Sequence, residues 1–117
     1  MNTKVNVLLA PEIKEAVGDR LSVGKLENAA TGIVPVYSEA RAGDVIRLNV
    51  VTSTGNNFQG QYVLNSFDVG LPIVMLIPKD FFSKGLVQGA TADISYTVSQ
   101  SGTASRTSLV LKLHLEK

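Results

Sequence analysis

The chain has 117 residues, 44% of them hydrophobic, enough for one self-sufficient core and too apolar for a disordered segment. Eleven basic residues offset ten acidic ones with no Lys/Arg run, so the electrostatic footprint of a nucleic-acid or anionic-membrane binder is missing. Cysteine is absent, which excludes disulfides, thiolate metal sites and thiol nucleophiles and leaves the redox compartment open.

The charged fraction of 18% lies below the roughly one quarter of an average soluble domain. Uncharged Ser, Thr, Asn, Gln and Gly fill the difference, as in many secreted bacterial β proteins. The apolar stretch Val5 to Ala10 is short and broken by Asn6, so it suits neither a signal-peptide core nor a membrane span. The compartment stays unassigned: a cytoplasmic protein, export without a cleaved signal and one module of a longer chain all fit. An extracellular or cell-surface place is favoured for a module of a longer chain.

Pro11 to Gly18 carries Pro at a helix start, early acids and a closing Gly, and reads equally as a short helix or as an extended edge segment. Strand periodicity dominates from residue 33 onward. Gly43-Asp44 is a turn that starts a strand, and Val45 to Val51 sets Ile46, Leu48 and Val50 on one face with Arg47 and Asn49 on the other. Ser53 to Asn57 is turn chemistry, and Phe58 to Leu64 is the returning strand. After the turn Asp68 to Pro72, the continuous apolar run Ile73 to Ile77 predicts a strand covered on both faces or central in its sheet.

Pro78 ends that run, and Lys79 to Gly85 reads as about one and a half helical turns closed by Gly85. Ala92, Ile94, Tyr96 and Val98 alternate with polar residues as a half-buried strand. The polar hairpin loop Gln100 to Ser105 follows. Leu109, Leu111, Leu113 and Leu115 then alternate with Val110, Lys112, His114 and Glu116, and a one-residue slip of either strand would put apolar side chains into water. About seven short strands with regular turns and one or two helical turns predict an all-β antiparallel sandwich or small barrel, one domain over residues 1–117. No βαβ alternation supports a nucleotide-binding α/β fold.

Several short motifs occur in a set order: Pro11-Glu12-Ile13, Leu21, Val34-Pro35-Val36-Tyr37, Ala42-Gly43-Asp44-Val45-Ile46, Val69-Gly70-Leu71-Pro72, Ile77-Pro78-Lys79 and Ser95-Tyr96-Thr97-Val98. In order and spacing the chain resembles the immunoglobulin-like repeat modules of large surface-exposed or secreted, adhesin-like proteins of Gram-negative proteobacteria. Val50 stands where such modules often carry Trp. The resemblance implies an immunoglobulin-like sandwich of about seven strands. It also implies a non-catalytic role in adhesion or as a structural spacer, with neighbouring modules or a surface protein or glycan as partners. Tyr96, with Val98 where a cysteine can sit, has the spacing of a tyrosine corner, whose hydroxyl would bond backbone. A core tyrosine with its hydroxyl at the surface is the alternative.

No residue set reads as catalytic, cofactor-binding or metal-binding, and no cofactor is expected. A Ser-His-Asp site needs a held histidine, whereas the only one, His114, lies on the polar face of the last strand. Asp19, Asp44, Asp68, Asp80 and Asp93 are scattered singly at or near turns and read as turn residues rather than a calcium loop. Glu12, Glu15, Glu27, Glu39 and Glu116 show no facing pair for glycoside hydrolysis. Gly55 and Gly60 sit in β context and form no phosphate loop.

Thr52 to Asn57 and Gln100 to Ser105 are the candidate contact loops of the adhesive reading, with plain solvated turns as the alternative. A carbohydrate-binding module is a rival reading and requires an exposed ring among Tyr37, Tyr62 and Phe82. A structural domain of a virus particle or secretion apparatus is another and requires self-association, where the leading reading expects a monomer or weak oligomer. Phe81 and Phe82 cannot both point inward from a short helix, and Phe58, Tyr62 and Phe67 cluster around one connection. Lys4, Pro11 and Pro35 suit a protected sheet edge in the N-terminal third.

Overall fold

Two β-sheets face each other across one hydrophobic core in the computed structural model, which describes residues 7–117. The larger sheet has strand order β2 (Arg20–Ser22), β9 (Leu111–Glu116), β7 (Thr91–Ser99), β4 (Val45–Thr52), β5 (Asn57–Val63), with the short β8 (Arg106–Thr107) also paired to β7. The smaller sheet has order β1 (Glu12–Ile13), β3 (Ala29–Val34), β6 (Ile73–Pro78). A 3-10 turn, Val23–Lys25, and one α-turn, α1 (Asp80–Ser83), complete the elements. The fold is therefore the immunoglobulin-like sandwich the sequence predicts, with β1, β2 and β8 as short additions to six longer strands. Lys4 and the first two residues of the Val5 to Ala10 stretch, Val5 and Asn6, lie outside the described residues.

Alternation decides which side chains enter the core. Ile46, Leu48 and Val50 of β4 and Ala92, Ile94, Tyr96 and Val98 of β7 are buried, as the two-residue period requires. Ala30 and Val34 of β3, Ile73 and Ile77 of β6, and Leu113 and Leu115 of β9 meet them from the other strands. Burying each large aliphatic side chain contributes about 1.5–3 kcal/mol, which fixes register, since a slip would turn every one of them outward. All pairings are antiparallel except β2 with β9 and the single bridge Leu8 with Ser108. Tested against the two readings of residues 11–17, the segment is extended: β1 is followed by a turn and a Val17–Arg20 bridge.

Two predictions fail. The run Ile73 to Ile77 is neither central nor covered on both faces. It forms the edge strand β6, with Val74 58% and Leu76 64% exposed on the outer face. An apolar run contains no period, so it cannot distinguish two covered faces from one covered face and one apolar exposed face. Pro78 fits this edge. Lys79 N–H donates to Asn28 O at 3.0 Å, so in the β3–β6 register the odd residues of β6 face β3 and Pro78's missing N–H faces outward.

The second failure is Leu109, which is 55% exposed. Between the pairs Thr97–Thr107 and Ile94–Leu111 the last strand has one residue more than β7, which is a β-bulge. At the bulge Ser108 is buried, and its Oγ accepts from Tyr96 N–H at 2.9 Å in place of a ladder carbonyl. The extra residue reverses the alternation, so Leu109 and Val110 face solvent while Leu113 and Leu115 stay inside.

Candidate functional site

The strand directions give the sandwich two poles. Asp44 precedes β4 and Gln100 follows β7, so both sit at one pole, while Thr52 ends β4 beside the start of β7 at the other. The two candidate loops therefore lie at opposite ends of the molecule and do not converge on one site.

At the first pole a buried carboxylate organises three segments. Asp44, 2% exposed, accepts from Tyr37 Oη at 2.6 Å, Arg41 N–H at 3.0 Å and Gln100 Nε2 at 3.1 Å through Oδ2. The Ala42-Gly43 turn makes this possible: Gly43 has φ of +96°, which glycine adopts without steric cost, and its N–H donates to Leu64 O at 2.7 Å. Burial pushes the Asp44 carboxyl up, but the bonds from Tyr37, Arg41 and Gln100 outweigh it and hold the group below its ordinary value. Burial and the bond to Asp44 raise the Tyr37 phenol well above its ordinary range. The Arg106 guanidinium lies 5.6 Å from the centre of the Tyr37 ring and donates to Ser38 O at 3.2 Å.

Tyr96 lies beneath this cluster and fits neither of its expected roles. Its ring is fully buried and its hydroxyl is buried too, with no hydrogen-bond partner among the described residues. The tyrosine-corner bond to backbone is not formed, and the hydroxyl does not reach the surface. The tyrosine that ties a corner is instead Tyr37, through the Asp44 side chain. A second clasp of the same kind joins Tyr62 Oη, as donor, to Asp68 Oδ2 in the loop after β5, and this bond raises the Tyr62 phenol.

At the second pole Thr52 to Asn57 uses its polar groups internally. Thr52 Oγ1 accepts from Asn56 N–H at 2.9 Å, and Asn56 Nδ2 donates to Phe81 O at 3.2 Å and Lys84 O at 2.8 Å. The loop is thereby tied to α1, which Gly85 closes at φ of +72°. Phe82 is fully buried, while Phe81 packs edge-on against Phe58 with ring centres 5.0 Å apart. A shallow depression of about 480 Å³ borders Asn56, Asp80, Phe81 and Lys84. Its walls carry no group set for nucleophilic or metal chemistry.

A larger open depression at this pole, about 640 Å³, holds Asp19, Arg20, His114 and Glu116. His114 Nε2 stands 3.7 Å from Asp19 Oδ2, and Arg20 pairs with Glu116 at 2.9 Å. These side chains are about half exposed or more, so water screens them and each pair contributes little. The five aspartates remain apart, and no group of three or more potential metal ligands occurs among the described residues. No helix of the described residues is long and apolar enough to cross a membrane.

Of the rings on which a sugar could stack, Phe82 is buried and Tyr37 is flanked by Arg106. The exposed ring is Phe67, 87% exposed in the loop after β5, which the sequence reading grouped with Phe58 and Tyr62 without separating it from the core. Leu71 of the same loop and Val36 are also exposed, at the Asp44 pole. Comparison with protein-family models, curated proteins and solved structures gives no match to this chain.

Proposed function

We propose that this chain is a non-catalytic immunoglobulin-like module of a bacterial surface or secreted protein, serving adhesion or acting as a structural spacer. The observation that carries the reading is the path of the chain through the sandwich. Leu8 bridges Ser108 in parallel beside Tyr96, at mid-height of the larger sheet, and β9 runs on to Glu116 beside Ser22 at the Thr52 pole. The first described segment and β9 thus run in the same direction along the strands, toward the Thr52 pole, in a molecule 47 Å long and 23 Å thin. In a tandem of such modules that shared direction suits an end-to-end arrangement in which load runs along the strands.

The polar groups support the same reading. Asp44, Thr52 and Ser108, the buried polar residues described, all close turns or a bulge rather than face a cleft. Phe67, Leu71 and Val36 offer apolar area at the Asp44 pole, where a neighbouring module or a surface ligand would meet it. The test is an immunoblot of the fractionated native source with antibody against this domain. A large band at the cell surface or in the medium is the expected result. A band near 12.5 kDa in the soluble cell fraction would overturn the reading.

A further inference from the structure

Four strands end the two sheets: β1 and β6 the smaller, β2 and β5 the larger. Natural edges are blunted by shortness, charge, proline or bulges, because their unpaired N–H and C=O groups otherwise template another strand. β1 and β2 have two and three residues, and β6 ends in Pro78. β5 has seven residues, Asn-Phe-Gln-Gly-Gln-Tyr-Val, with no charge, no proline and no bulge in its pairing with β4.

The β4–β5 register shows which groups are unused. Thr52 N–H donates to Asn56 O at 2.9 Å and Leu64 N–H to Asp44 O at 2.8 Å, so the even residues of β5 face β4. The backbone groups of Asn57, Gln59, Gln61 and Val63 point away from the sheet, and no other described strand pairs with them.

The side chains select the occupant, because they form a palindrome about Gly60: aromatic, Gln, Gly, Gln, aromatic. We propose that β5 pairs antiparallel with β5 of a second copy of this chain, across a two-fold axis at Gly60. In that register Gln59 lies opposite the copy's Gln61, and Asn57 opposite Val63. These are the positions whose N–H and C=O are unused. On the outer face Gln59 already donates its amide to Asn49 Oδ1 at 3.0 Å, which leaves its own Oε1 to accept from the copy's Gln61. On the inner face Phe58 lies opposite the copy's Tyr62, both only partly buried in one copy. The absence of charge from Asn57 to Val63 removes like-charge repulsion between copies, whereas a charged peptide would find no partner there. Such an isologous contact joins modules side by side, at right angles to the end-to-end path, and does not depend on it.

The test is sedimentation velocity on the full chain up to about 1 mM, a range suited to a weak contact. A reversible dimer is expected. The double variant Gln59→Lys/Gln61→Lys sets like charges opposite each other twice and weakens dimerisation about tenfold or more, roughly 1.4 kcal/mol. Gln59→Glu/Gln61→Lys sets opposite charges in the same places and restores it. Both variants change exposed side chains, and circular dichroism verifies that the sandwich is intact. A wild-type chain that stays monomeric, a dimer indifferent to the lysines, or a charge-reversed variant that fails to recover would each overturn the proposal.

Discussion

At Asp44 three donors hold a buried carboxylate ionised, and the resulting stability depends on pH in a definite direction. The folded group titrates below its unfolded counterpart, so its contribution is present above the unfolded value of about 3.9 and is lost as pH falls through the folded value. Tyr37→Phe removes the shortest of those bonds. The expected cost at neutral pH is about 1–2 kcal/mol, narrowing in acid below about pH 4 as Asp44 protonates. Urea unfolding of both proteins at neutral and acid pH measures the gap, and a gap independent of pH would show that the Tyr37–Asp44 bond is not its source. Tyr96→Phe is the matched control, because the deleted hydroxyl has no partner. It should leave stability within about 0.5 kcal/mol or raise it. Only folding separates these two phenols. Tyr37 is seven residues from its carboxylate, but Gln100 is fifty-six away, so the sequence displays Asp44 as an ordinary turn residue and hides its role as a hub.

Among the elements, the central strands were legible and the margins were not. β4 and β7 each have neighbours on both sides and one polar face, so their alternation maps directly onto burial. β6 defeated the same logic, since Val74 and Leu76 are apolar yet exposed. The last strand defeated it differently: four leucines in alternation form a strong pattern, but a single inserted residue breaks it in space. Ser108 is what makes that insertion stable. Its hydroxyl accepts from Tyr96 N–H and donates to Leu109 O at 2.9 Å, replacing the ladder where the register shifts. Ser108→Ala leaves the buried Tyr96 N–H without that acceptor, at a cost of roughly 2 kcal/mol. Denaturant unfolding gives the loss, and hydrogen exchange gives its place, with faster exchange expected at Tyr96. Unchanged exchange there would mean that the bulge finds another acceptor. The sequence reads Phe58 to Leu64 as a strand and β5 is Asn57–Val63, but its palindrome gains meaning only once the sheet order makes it an edge.

For the whole molecule, the stiffness a spacer needs depends on how closely the two sheets pack. Gly32 of β3 and Leu48 of β4 measure that spacing, one from each sheet. A Cβ at Gly32 would stand 2.8 Å from Leu48 Cδ2, 3.2 Å from Met75 O and 3.3 Å from Ile77 Cδ1. Two of those neighbours, the Met75 carbonyl and the Ile77 side chain, belong to β6, which is hydrogen-bonded to β3 and cannot withdraw alone. Gly32→Ala must therefore push the sheets apart or force Leu48 from its rotamer, at about 1–3 kcal/mol. Leu48→Ala by itself opens a cavity, at about 2–5 kcal/mol for a fully buried leucine. The double variant relieves part of both faults, because the added methyl enters the space the leucine leaves. Its loss should fall short of the sum of the single losses by about 1 kcal/mol. Equilibrium unfolding of the four proteins closes this cycle. Simple additivity would show that the sheets absorb the methyl by sliding, and a sandwich whose sheets slide that easily would make a poor spacer.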